Sequence, residues 1–98
     1  MKIIKSQNNG ILTMALNGRL DTATAPELEQ EIKQSLDGVE ALVMDFAELT
    51  YISSAGLRVL LSAQKRLNNQ GTMKVIHVNE MVKEVFEVTG FSDILNIE

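Results

Sequence analysis

Two adjacent hydroxyls, Ser53 and Ser54, followed by the small residues Ala55 and Gly56, are the side chains of this chain best placed for chemistry. They lie between a short apolar run, Ala41–Phe46, and a helical apolar pattern through Leu57, Leu60, Leu61 and Leu67. A strand that passes through a Ser-Ser-Ala-Gly turn into a helix sets hydroxyls at a helix N-terminus. Backbone N–H groups are free there and the macrodipole favours negative charge. Such a position can cap the helix, cradle an anion or carry a phosphoryl group on a serine. The residues alone leave all three open. Serine is a commonplace cap, whereas the small neighbours leave a hydroxyl uncrowded, as docking into a kinase active site requires.

Other chemistry finds little support. His77 is the single histidine and lies in the strand-like run Val75–Val78, with no serine, cysteine or second histidine beside it. Asp21, Asp45 and Glu48 are scattered near turns, and no catalytic pair follows from their spacing. The six glycines form neither a dinucleotide fingerprint nor a Walker A pattern, and there is no cysteine to serve as nucleophile or metal thiolate. No catalytic residue, metal ligand or cofactor is expected, and the chain does not read as an enzyme.

Composition narrows the class further. Ninety-eight residues with 45% hydrophobic content suit one globular domain, 1–98. A formal charge of −4 argues against a nucleic-acid binder, which normally carries a basic face. No apolar stretch approaches the roughly 18 residues of a membrane helix, and the N-terminus lacks a signal-peptide apolar region. A cytoplasmic monomer that meets neither nucleic acid nor membrane is expected.

The elements that must position Ser53 and Ser54 follow from periodicity. Lys2–Ser6 and Ile11–Leu16 flank an Asn9-Gly10 turn and read as an antiparallel hairpin. Asn17 to Pro26 reads as a loop. Thr24 and Glu27 have capping-box spacing, and Leu28, Ile32 and Leu36 form one stripe of a first helix ended by Asp37-Gly38. Ala41–Phe46 is a buried strand, Gly56–Asn68 a second helix and Met73–Val78 another strand. Asn79 caps a third helix through Val82, Val85, Phe86 and Val88, Gly90 closes it, and Ile94–Ile97 adds an edge strand. The order predicts an α/β domain with a mixed four- to five-stranded sheet and helices mainly on one face. Leu28, Ile32, Val43, Leu57, Leu60, Leu61, Val75, Ile76, Val85 and Phe86 are the expected core.

Tyr51-Ile52-Ser53-Ser54-Ala55-Gly56-Leu57-Arg58-Val59-Leu60-Leu61 resembles the signature of the STAS domain found in bacterial anti-sigma-factor antagonists. Gly18-Arg19-Leu20-Asp21-Thr22-Ala23 resembles that family's turn before the first helix, and Val43-Met44-Asp45-Phe46 its central strand. The resemblance covers essentially the whole chain. It implies partner switching. The unphosphorylated domain binds an anti-sigma factor that is itself a serine kinase, phosphorylation dissociates the pair, and a phosphatase of the PP2C type restores binding. The phosphorylatable serine two before the glycine is then Ser54, with Ser53 the rival, because Ser53 stands where many members carry aspartate. Ala55 stands where many carry Ser or Thr. Asp21, Ser53, Ser54, Ala55 and Gly56 are the expected partner-binding residues, although Asp21 also suits a purely local role in its turn. The alternative is a STAS scaffold subunit of a transport or signalling complex, in which Ser54 only caps.

Overall fold

The computed structural model describes residues 1–98. It holds strands β1 (Lys2–Asn8), β2 (Ile11–Leu20), β3 (Ala41–Ile52), β4 (Thr72–Ile76) and β5 (Asn96–Ile97). The helices are α1 (Ala25–Ser35), α2 (Ser54–Leu67) and α3 (Glu80–Thr89), with one 3-10 turn at Phe91–Asp93. Asn9 and Gly10 turn β1 into β2 with φ of 52° and 82°, the doubly positive geometry whose twist matches the flanking strands. β1 pairs antiparallel with β2, and every later pairing is parallel.

Spatial order follows chain order, β1-β2-β3-β4-β5. The parallel steps all run in one direction across the sheet, and because such crossovers share one hand as a rule, they carry α1, α2 and α3 to the same face. The buried side chains alternate accordingly. Leu12, Met14 and Leu16 of β2, Leu42, Met44 and Phe46 of β3, and Met73 and Val75 of β4 face inward. They pack with Leu28, Ile32, Leu57, Leu60, Val82 and Phe86 of the helices in one core cluster, and the rings of Phe46 and Phe86 stack 6.4 Å apart.

Four expected core positions are only half-buried: Val43, Leu61, Ile76 and Val85. Val43 and Ile76 alternate with the inward residues of β3 and β4 and so point to the helix-free face. They were expected in the core on apolar content alone, but the topology places no helix over that face. Leu61 and Val85 lie on the flanks of their helices.

The strands leading to Asp21 and to the serines are both longer than their periodicity suggests. Asn17–Leu20 is strand rather than loop, and β3 continues past Phe46 to Ile52. Register shifts between Ala15 and Asn17 and between Gly18 and Arg19 let the pair continue. They also bring Leu49 and Ile52 back to the buried face, a spacing of three that conceals a strand of period two. The capping box of α1 does not form, because the Thr24 hydroxyl turns back and donates to the Arg19 carbonyl at 2.7 Å. β4 stops at Ile76, short of Val78, where His77 takes φ 58°. Asn79 caps α3 as expected: its Oδ1 accepts from the Val82 N–H at 2.8 Å, and its Nδ2 donates to the Leu49 carbonyl at 2.9 Å.

Candidate functional site at the start of α2

β2 and β3 end side by side, with Leu20 opposite Ile52. The Ser53 N–H then donates to the Leu20 carbonyl at 2.9 Å. The next residue on each chain segment is Asp21 on one side and Ser54 on the other. Sequence separation is therefore cancelled by strand pairing, and the two expected site segments leave the same end of the sheet.

The two serines differ in environment. Ser53 is the N-cap of α2, with φ −106° and ψ 175°, and its carbonyl accepts the first helical bond from the Leu57 N–H at 3.0 Å. Its hydroxyl does not cap: Oγ is buried and has no hydrogen-bond partner. Ser54 is the first helical residue and is exposed. The first turn of α2 contains no acidic residue, so nothing on the helix itself offsets its positive end. Arg58, one turn further on and on the same side of the helix, is exposed and forms no salt bridge.

Ala55 and Gly56 contribute by being small. Gly56 is buried, and a Cβ placed on it would meet Leu20 Cγ at 2.6 Å and Ile52 Cγ1 at 3.0 Å. Its lack of a side chain lets α2 start directly over the ends of β2 and β3. Gly56 therefore positions the site and offers no side-chain contact to a partner. Ala55 is half-buried and lines a shallow groove with Thr22, Ala25, Pro26 and Arg58, between the starts of α1 and α2.

Asp21 is engaged locally. Its Oδ1 accepts from the Ala23 and Thr24 N–H groups at 3.0 and 3.1 Å and lies 3.2 Å from the Thr24 hydroxyl. Oδ2 is 3.6 Å from Arg19 Nε. The bond from the Thr24 N–H, opposed by partial burial and reinforced by Ala23, the Thr24 hydroxyl and the Arg19 charge, holds the Asp21 carboxyl below its usual range. Its bonds order the turn that enters α1.

Sequence reasoning missed Arg19 and Tyr51. The guanidinium of Arg19 stands 4.2 Å from the centroid of the Tyr51 ring across the β2–β3 pair, a cation–π contact beside Asp21. The signal was present in the quoted motifs, since Arg19 stands two residues before Asp21 and Tyr51 two before Ser53. Only the register reveals that they are opposite one another. His77 lies elsewhere, at the end of β4, with Nδ1 2.9 Å from Asp45 Oδ1. Partial burial pushes the Asp45 carboxyl up, but the Ala47 N–H and the hydrogen bond and charge of His77 outweigh it and leave the group lowered.

Fold and site together give a small α/β domain that presents an exposed serine at a helix start. The STAS domain pattern matches residues 2–98, and the chain belongs to that family. It is 38% identical over 99% of its length to BtrV of Bordetella bronchiseptica, classed among anti-sigma factor antagonists, and covers 85% of that protein. An anti-sigma factor antagonist from Mycobacterium paratuberculosis superposes with a TM-score of 0.89 at 24% identity, over 98% of this chain and 83% of that one. The phosphorylated form of the Bacillus cell fate determinant SpoIIAA gives 0.77 at 16% identity, over 99% and 91% respectively. No helix is long and apolar enough to cross a membrane.

Proposed function

We propose that this protein is an anti-sigma factor antagonist that works by partner switching, with Ser54 as the phosphorylated residue. One observation carries the assignment of the serine. Of the two adjacent hydroxyls, that of Ser53 is buried and that of Ser54 lies on an exposed residue. A kinase active site must surround its acceptor, and only an exposed hydroxyl allows that without unfolding α2. The 38% identity to BtrV supports the antagonist role, and the fold shared with SpoIIAA accommodates a phosphorylated form.

In this reading the unphosphorylated domain binds a kinase-type anti-sigma factor through the Ser54 end of α2 and the neighbouring Asp21 turn. The partner transfers the γ-phosphoryl group of ATP to Ser54 Oγ, the O–H proton leaving as the new P–O bond forms and ADP departing. A phosphoserine adds about −1.5 to −2 charges. The N-terminus of α2 and the free guanidinium of Arg58 accept that charge, so the domain stays folded. A partner surface fitted to a neutral hydroxyl has no such relief, and an uncompensated charge buried there costs several kcal/mol. The complex separates, and a PP2C-type phosphatase resets it.

The test is affinity for the anti-sigma partner. Ser54→Asp weakens binding with the melting temperature kept, whereas Ser54→Ala binds and is not released by ATP. A Ser54→Asp protein that binds as tightly as the wild type contradicts the proposal.

A further inference from the structure

α3 is apolar on two sides. Val82 and Phe86 are fully buried against the sheet. Met81, Val85 and Val88 fall at i, i+4 and i+7 along one outer flank, with Met81 57% and Val88 80% exposed and Val85 half-buried. The outer stripe, with Glu84 and Thr89, lines a shallow groove. Val85 also packs against the core, so the exposed part of the stripe is Met81 and Val88.

The charge around this stripe is one-sided. Residues 79–98 hold Glu80, Glu84, Glu87, Asp93 and Glu98 against a single Lys83 and so carry the whole formal charge of −4, and of these acids only Glu98 pairs with a cation, Lys74 of β4. Glu80, Glu84 and Glu87 take part in no salt bridge. A second copy of the chain would set these carboxylates against their like, and an anionic lipid surface would repel them. The complement of an apolar stripe edged with free carboxylates is an amphipathic helix edged with Lys and Arg.

We propose that the outer face of α3 is a docking surface for a basic amphipathic helix of a partner protein, separate from the Ser54 surface and independent of its phosphorylation. The probe is a synthetic Leu/Lys helical peptide with leucines at i, i+4 and i+7, titrated into the nitrogen-15-labelled full chain. Its Leu/Glu counterpart and phosphatidylglycerol vesicles are the controls. Amide shifts concentrated on Glu80–Thr89, affinity that falls with added salt, and no binding of either control are expected. Val88→Lys and Glu84→Lys, both exposed and tolerant of the change, each weaken the peptide by about fivefold or more. Ser54→Asp leaves it unchanged, which separates this surface from the switch. Absence of peptide binding, shifts centred elsewhere, equal binding of the Leu/Glu peptide or of vesicles, or self-association through α3 overturns the proposal.

Discussion

The backbone N–H of Ser53 donates to the carbonyl oxygen of Leu20 at 2.9 Å, and that bond ties the start of α2 to the end of β2. It fixes Ser54 and Asp21 as neighbours in the fold although a whole helix and strand separate them in the chain. Gly56 completes the arrangement from the other side, because α2 can follow Ser53 at this angle only if no Cβ intrudes on Leu20.

Gly56→Ala is therefore expected to destabilise the domain. Alanine gains about 1 kcal/mol of helix propensity over glycine. The clash with Leu20 and Ile52 costs about 1–3 kcal/mol through overpacking, and this is the larger effect because the closest contact is 2.6 Å. Urea denaturation measures the balance. A Gly56→Ala protein more stable than the wild type would contradict the close approach.

Ser53→Ala separates two roles for that hydroxyl. A capping hydroxyl is worth about 0.5–2 kcal/mol, and its loss lowers the melting temperature. A buried hydroxyl with no partner carries a desolvation penalty of about 1–3 kcal/mol, and its removal does not. The structure predicts an unchanged or raised melting temperature in calorimetry. A clear fall would mean that Ser53 caps in solution.

Much of this was legible in the sequence, and the exceptions share a cause. The Asn9-Gly10 hairpin, the Asn79 cap and the Gly90 end of α3 rest on local backbone chemistry, and the structure has each of them. The strand extensions through Asn17–Leu20 and Ala47–Ile52 depend on bulges, and a bulge breaks the alternation by which a strand is recognised. Val43 and Ile76 were expected in the core because apolar content does not say which face a helix covers. That Ser53 and Ser54 lie at the start of a helix was readable from the strand-to-helix pattern around them. The burial of the Ser53 hydroxyl and the Arg19–Tyr51 contact were not, since both depend on how β2 registers against β3.

Asp21→Ala is expected to lower stability at neutral pH, because two backbone N–H groups lose their acceptor at the entry to α1. The pH dependence has a definite sign. The folded carboxyl lies below its unfolded value, so its contribution is full above an unfolded pKa of about 3.9 and is lost as pH falls through the lower folded value. Urea titrations from pH 7 to pH 2 should show the wild-type advantage over Asp21→Ala shrinking only in the acid range. An advantage that does not change with pH would assign the effect to packing rather than to the ionised carboxylate.

Removing the imidazole in His77→Gln should raise the Asp45 pKa, because His77 supplies both a hydrogen bond and a charge that hold the carboxyl down. Carbon-13 NMR of the carboxyl resonance reads this directly. An unmoved titration would mean that the Ala47 N–H alone outweighs the burial of Asp45.

Leu60 is fully buried on the inner face of α2, and Leu60→Ala should cost on the order of 2–5 kcal/mol through the cavity it leaves. Chemical denaturation gives the value, and a loss well under 1 kcal/mol would place Leu60 outside the rigid core.

Ser54, and not Ser53, is the residue proposed to carry the switch. Intact-mass spectrometry of the protein incubated with its anti-sigma kinase partner and ATP tests it most directly. A mass gain of one phosphoryl group is expected in the wild type and in Ser53→Ala, and none in Ser54→Ala. A phosphorylated Ser54→Ala protein, or a wild type left unmodified as a scaffold subunit would be, contradicts it.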